Sequence, residues 1–190
     1  MQKNLRKSLK KYLNDKTIFD IILYGSVAKG SLEPNDLDLV IIFNEGSLEN
    51  RLNKLQIIKN ELKNKLSKEF KKLDLKQIVL EELFKESFFA RTGILLEGIS
   101  LKNVVPFSEN LGFKGMCLYW YDLENLSHNE KVKFNYILAG RNNNKGILDL
   151  FNIQRLANGA LLVPISKSYE FELILKNNKI NYSKKNILVE

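Results

Sequence analysis

Leu5, Leu9, Tyr12 and Leu13 recur at the spacing of one helical face, which predicts an amphipathic helix over residues 3–14. The pattern then changes period. Ile18 to Tyr24 is a short, almost unbroken apolar run that stops at Gly25, and Leu37 to Phe43 is a second. Runs of this length, rich in Ile, Leu and Val, read as strands. A helical turn is expected to start at Val27–Lys29 between them. Ser47 is placed to cap a following helix, whose stripe of Leu48, Leu52, Leu55, Ile58, Leu62 and Leu66 predicts a single apolar face. Leu73 to Leu80 reads as a third strand, residues 81–95 as a helix interrupted near Gly93, and Leu101 to Val105 as a strand.

The segment from Pro106 to Gly115 collects Pro, Ser, Asn and two further Gly residues and is the expected boundary between two regions. Beyond it, Met116 to Leu123 alternates as a strand. Ser127-His128-Asn129-Glu130 has the form of a capping box, so a helix should start there and run towards Leu138. Gly140 to Gly146 is a polar turn. Leu161 to Ile165 reads as a strand, Tyr169 to Lys176 as a helix and Ile187 to Val189 as a last strand. The pattern predicts an α/β (α+β) chain with a first domain over residues 1–110 and a small α+β region over 111–190.

Composition changes this picture little. The chain has 190 residues, 44% hydrophobic and 27% charged, which is globular usage. Its formal net charge of +8 invites a nucleic-acid reading. Yet the basic residues are 25 Lys and 5 Arg beside 22 Asn, and bidentate recognition of phosphate and bases favours Arg. Charge alone is therefore weak support for nucleic acid. As the single cysteine, Cys117 cannot form an internal disulfide, the opening segment is too polar for a signal peptide, and no apolar run approaches a membrane span. A cytoplasmic location without membrane association is expected.

The chemistry is concentrated where the first two strands meet. Ile21-Ile22-Leu23-Tyr24 ends in Gly25-Ser26, followed by Val27-Ala28-Lys29-Gly30. Ten residues after Ser26 comes Asp36-Leu37-Asp38-Leu39, at the head of the second apolar run. Residues i and i+2 of a strand face the same side, so Asp36 and Asp38 present two carboxylates together. Hard divalent cations take such oxygen ligands, and Mg²⁺ commonly binds through one or two carboxylates plus substrate phosphates. A Gly-Ser turn supplies close backbone approach and donors on the phosphate side.

This arrangement resembles the nucleotidyltransferase superfamily typified by DNA polymerase beta, and its small prokaryotic members, the minimal nucleotidyltransferases, most closely. Their motif is Gly-Ser-x-Ala-Arg/Lys-Gly, a spacer, then Ser-Asp-x-Asp-Leu at the head of a strand. Here Gly25, Ser26, Ala28, Lys29, Gly30, Asp36, Asp38 and Leu39 match, with Asn35 where Ser is usual and Lys29 where Arg is commoner. Asp74, in Lys72-Leu73-Asp74-Leu75, fits the family's third carboxylate, and Gly93 to Ile99 looks like its Leu-x-Glu-Gly segment. The resemblance covers the first half of the chain. It implies the nucleotidyltransferase fold, a mixed central sheet flanked by helices, with Asp36, Asp38 and Asp74 as metal ligands and catalytic residues, and Gly25, Ser26 and Lys29 as nucleotide-binding residues. It implies Mg²⁺ or Mn²⁺ as cofactor and a nucleoside triphosphate, with ATP expected, as substrate.

The implied reaction moves a nucleoside monophosphate to a hydroxyl acceptor. A protein acceptor, with a toxin-like protein partner and an antitoxin-like role, is the leading expectation. An RNA-modifying enzyme is an alternative, and so is a catalytically silent module that binds nucleotide, nucleic acid or a partner. The paired carboxylates count against the silent module, because without metal they repel phosphate. Elsewhere, His128 falls inside the capping box and reads as structural, and Cys117 as a packed apolar residue. Tyr119-Trp120-Tyr121 has the means to stack a base, but a strand with one buried face is the preferred reading. The Arg141–Lys145 loop reads as a solvated turn.

Overall fold

The computed structural model describes residues 2–28, 36–66 and 69–190. The chain divides into two compact units, Met1–Gly112 and Phe113–Glu190.

The first unit opens with α1 (Gln2–Leu13), whose Leu5, Leu9, Tyr12 and Leu13 are buried as their spacing requires. β1 (Ile18–Tyr24) leads into the short α2 (Gly25–Ala28), and β2 (Asp36–Phe43), α3 (Leu48–Leu66) and β3 (Lys72–Val79) follow. A 3₁₀ turn at Leu80–Phe84 precedes α4 (Arg91–Glu97), β4 (Ile99–Ser100) and α5 (Phe107–Asn110). The sheet has the order β3-β2-β1-β4. β2 and β3 are parallel, while β1 is antiparallel to β2 and to β4, so the sheet is mixed. Both faces are covered. Leu23, Leu39, Ile41 and Leu75 pack with Leu5 and Leu9 of α1 and Ile58 and Leu62 of α3. Ile22, Val40, Ile42 and Ile78 pack on the opposite face with Leu83, Ile94 and Phe107. This two-sided burial is why β1 and β2 read as continuous apolar runs.

The stripe predicted for α3 holds from Leu55 onward, but Leu48 and Leu52 are exposed. In the first turns of the helix Arg51 is buried instead, its guanidinium reaching the Glu82 carboxylate at 3.3 Å. The helix predicted over 81–95 is broken at residues 85–90 rather than at Gly93, which sits inside α4. The Glu82 carboxylate accepts from the Val79 N–H at 2.9 Å and ties the start of the 3₁₀ turn back to β3. Successive i→i+3 bonds, Phe88 to Lys85 and Arg91 to Phe88, then carry the chain as turns. The strand expected at Leu101–Val105 is also a turn; pairing with β1 falls at Ile99 and Ser100. The cause is Asp20, a buried carboxylate on β1. It accepts from the Ser100 hydroxyl at 2.6 Å, the Ile21 N–H at 2.7 Å, the Lys102 N–H at 3.3 Å and the Asn110 amide at 3.3 Å. These bonds draw the chain out of the ladder just after Ser100.

In the second unit, β5 (Lys114–Asp122) and α6 (His128–Ala139) precede a small hairpin of β6 (Gly140–Arg141) and β7 (Asn144–Lys145). There follow α7 (Ile147–Leu150), β8 (Gln154–Ala157), β9 (Ala160–Pro164), a 3₁₀ turn at Ile165–Lys167, α8 (Ser168–Asn177) and β10 (Asn181–Val189). The main sheet is antiparallel throughout, in the order β10-β5-β9-β8. Setting aside the inserted hairpin and α7, the connectivity is βαββαβ with the first strand between the last and the third, the split βαβ arrangement. Phe134 and Leu138 of α6 and Phe171 and Leu175 of α8 pack on one face, against Cys117, Tyr119, Leu161 and Val163. Ser127 caps α6 as a full capping box with Glu130. β8 and most of β10 are not legible as strands, because both are polar sheet edges. β8 is exposed at all four positions, and β10 carries Lys184 and Lys185, as edge strands commonly do.

Candidate functional site

The ladder registers assemble the candidate residues at one end of the first sheet. Tyr24, the last residue of β1, lies opposite Asp38 on β2, and Asp38 lies beside Asp74 on β3. One row thus crosses three strands as Tyr24, Asp38 and Asp74, at the sheet's inter-strand spacing of about 4.8 Å. Asp36 sits two residues before Asp38 on the same face, next to Lys72. Leu37 between them and Leu39 after them are buried in the opposite face. That alternation is what holds both aspartates at the mouth.

Gly25 closes the site from the β1 side. Its φ is +74°, a conformation that favours glycine. A Cβ placed there would overlap the Asp38 Oδ2 and stand 3.1 Å from its Cγ. The backbone of the turn and the Asp38 carboxylate are therefore in contact only because residue 25 has no side chain. Ser26 is exposed beside it, and Val27 anchors α2 in the core. Lys29 lies outside the described residues.

Burial raises the Asp38 carboxyl above its ordinary value, and the charges of Asp74 and Asp36 add to the rise, with Lys76 and Lys72 opposing it. Asp38 thus feels the charge of both neighbouring acids. Two residues that sequence reasoning left without a role belong to the same place. Lys76, two positions after Asp74 and so on its face, brings its Nζ to 3.6 Å from Asp74 Oδ2 and 5.9 Å from the centre of the Tyr24 ring. The phenol of Tyr24 is raised by burial, with the Asp74 and Asp38 charges contributing. The signal for Lys76 was the same i, i+2 rule that paired Asp36 with Asp38. The signal for Tyr24 was its position directly before Gly25.

The donor set is hard oxygen, and an ammonium already stands against Asp74, so the mouth of the sheet suits a cation. Among the described residues, no group of three or more His, Cys, Asp or Glu is gathered closely enough to hold a metal ion as it stands. The carboxylates are neighbours across the ladder rather than a closed cluster.

The Leu-x-Glu-Gly segment, the end of α4, packs on β1. A Cβ on Gly98 would collide with the Ile94 carbonyl and come within 2.7 Å of Ile22 Cγ2. Its glycine is a close-approach residue between helix and strand, with no place at the mouth.

The sheet and the helices on its two faces give the first unit a nucleotidyltransferase fold. Residues 7–97 match the family described as Polymerase beta, Nucleotidyltransferase. Over those residues the chain is similar to that nucleotidyltransferase family, in agreement with the fold of the first unit. Comparison with curated proteins found none that matches the chain. Among the described residues, no helix is long and apolar enough to cross a membrane.

Proposed function

We propose that the chain transfers a nucleoside monophosphate from a nucleoside triphosphate, ATP being the expected one, to a hydroxyl acceptor with the help of Mg²⁺ or Mn²⁺. The observation that carries this reading is the Asp38–Asp74 row with Asp36 on the same face and the backbone of Gly25 against Asp38. Asp36, Asp38 and Asp74 would hold the metal. A bound Mg²⁺ supplies charge neutralisation on the triphosphate and lowers the pKa of an attacking hydroxyl.

The chain's own residues do the rest. Gly25 admits the phosphates close to the backbone, and the exposed Ser26 hydroxyl donates to a phosphate oxygen. Lys29 adds a mobile positive charge. The acceptor oxygen forms a bond to the α-phosphorus while the bond from that phosphorus to the bridging oxygen breaks, and pyrophosphate leaves. The acceptor's proton passes to the Asp74 carboxylate. Positioning and electrostatics supply most of the rate in such transfers. In the absence of metal, Lys76 is the counter-charge beside Asp74.

A protein hydroxyl leads among acceptors on the strength of the resemblance, which also motivates a toxin-like partner and a cytoplasmic, antitoxin-like role. A nucleic-acid hydroxyl is the second reading, favoured by the basic second half, where residues 113–190 carry eleven Lys and Arg against seven Asp and Glu. The test is incubation of the protein with α-labelled nucleoside triphosphates, Mg²⁺ and cell extract. Label in a protein band supports the first reading and label in RNA the second. Label nowhere, with wild-type protein shown to be folded, overturns transfer. Asp74→Asn should keep triphosphate binding and lose turnover, because an amide cannot take the proton.

A further inference from the structure

The second sheet has one face packed and one face turned away from that packing. Cys117 and Tyr119 on β5 point into the core under α6 and α8, so Met116, Leu118 and Trp120 project from the opposite face. The ladders fix their neighbours. Trp120 lies between Ser183 of β10 and Ala160 of β9. Leu118 lies between Lys185 and Leu162, with Gln154 beyond Leu162.

Three features of this face point to the same ligand. First, the indole of Trp120 is 44% exposed on a central strand, where a large apolar side chain usually finds cover. Second, both of its in-register neighbours are small, which leaves the ring face uncrowded. Third, its in-register partner Ser183 carries a hydroxyl donor and its diagonal neighbour Lys185 an ammonium. Lys185 is diagonal to Trp120, a separation of about 7–8 Å in an antiparallel pair. One carboxylate, Asp122, shares the face two residues beyond Trp120, on the side away from Lys185, and is paired with Asn181. The unit as a whole carries eleven Lys and Arg against seven Asp and Glu.

A protein partner would need a broad apolar area. Here Leu162 is buried and Leu118 and Met116 are half-buried, so a single aromatic plane is what the face offers. A nucleobase needs one such plane and a cation for its phosphate, and every base has a π face to stack. A sheet with helices on one side and aromatics on the other is a known physical solution to that problem. Topology alone does not assign function; the exposed indole and the lysine on its diagonal carry the case.

We propose that this face of the second unit is a binding surface for single-stranded nucleic acid, with a base stacked on Trp120 and an adjoining phosphate on Lys185. The site is independent of the transfer chemistry and stands whether or not the first unit is active.

Trp120 is the chain's only tryptophan, so it reports its own contact. The experiment titrates the full chain, in EDTA and without nucleoside triphosphate, with oligouridylate, oligodeoxythymidylate, a duplex of the same length and inorganic polyphosphate, following tryptophan fluorescence and, separately, anisotropy of end-labelled strands. Quenching by the single strands is expected, together with about tenfold weaker binding for Trp120→Ala and near-normal binding for Trp120→Phe, given the worth of one base stack. Lys185→Ala should flatten the salt dependence. Binding by both single strands, or by RNA alone, carries the proposal. Equal affinity of Trp120→Ala and wild type, strand binding with no change in tryptophan emission, a preference for duplex, or polyphosphate binding as tightly as the strands would each overturn it. The same titration on Asp38→Asn must give the wild-type result, which separates this site from the transfer site.

Discussion

Replacing Gly25 by Ala should disable the site through one added methyl group. Two effects act together. At a φ of +74° an L side chain costs about 1–2 kcal/mol. In a chain of this size that lowers the melting temperature by roughly 2–8 °C. The methyl group would also overlap Asp38 Oδ2, so the carboxylate has to swing out of its place in the row with Asp74. A displacement of about an ångström at a reacting centre costs about 100-fold in rate. Gly112 provides the control. It too has a positive φ, +81°, but a Cβ there meets nothing within 4 Å. Gly112→Ala should therefore show the same loss of stability with no loss of function. The measurements are thermal melts, calorimetric titration of Mg²⁺ and of the Mg²⁺-nucleotide, and transfer rate, on both variants. If Gly25→Ala matched Gly112→Ala in metal affinity and turnover, contact between residue 25 and Asp38 would be irrelevant to the site and the steric reasoning would fail.

Asp38 is raised by burial and by its acidic neighbours, so the stability it contributes is complete below the ordinary carboxylate range and is lost as pH rises through the raised value. Asp38→Asn should therefore melt higher than wild type at neutral pH in EDTA while losing transfer; a lower melting temperature would contradict the charge crowding. Glu172 in the second unit is the opposite case. Burial works against its charge, but Lys184 at 2.5 Å and the Tyr119 and Tyr182 hydroxyls hold it below the ordinary glutamate value. Its contribution is present above that value and lost as pH falls through the lowered one, so Glu172→Gln should blunt acid-side unfolding monitored by near-ultraviolet circular dichroism; an unchanged acid limb would remove Glu172 as its cause. Asp20→Ala should cost about 3 kcal/mol in urea unfolding, since it strands several donors that now share one buried carboxylate. A loss under about 1 kcal/mol would show that water replaces those bonds.

The sequence by itself determined the first sheet's central strands and the residues at their mouth. β1 and β2 are buried on both faces, so their apolar runs are unbroken and their ends are marked by Gly25 and by Asp36 and Asp38. Period-2 geometry alone put both acids on one side, and the resemblance supplied Asp74. Only tertiary structure decided the pairing that makes Asp38 the neighbour of both Tyr24 and Asp74, because register depends on partners distant in the chain. It also decided the cover over the second face, where Asp20 overrides the strand pattern at Leu101–Val105 and Glu82 overrides the helical one after Leu80. In the second half, edge strands have little to bury and so leave little pattern. β8 and the part of β10 before Ile187 became visible only when their backbone groups found β9 and β5, and with them the sheet face that leaves Trp120 in solvent.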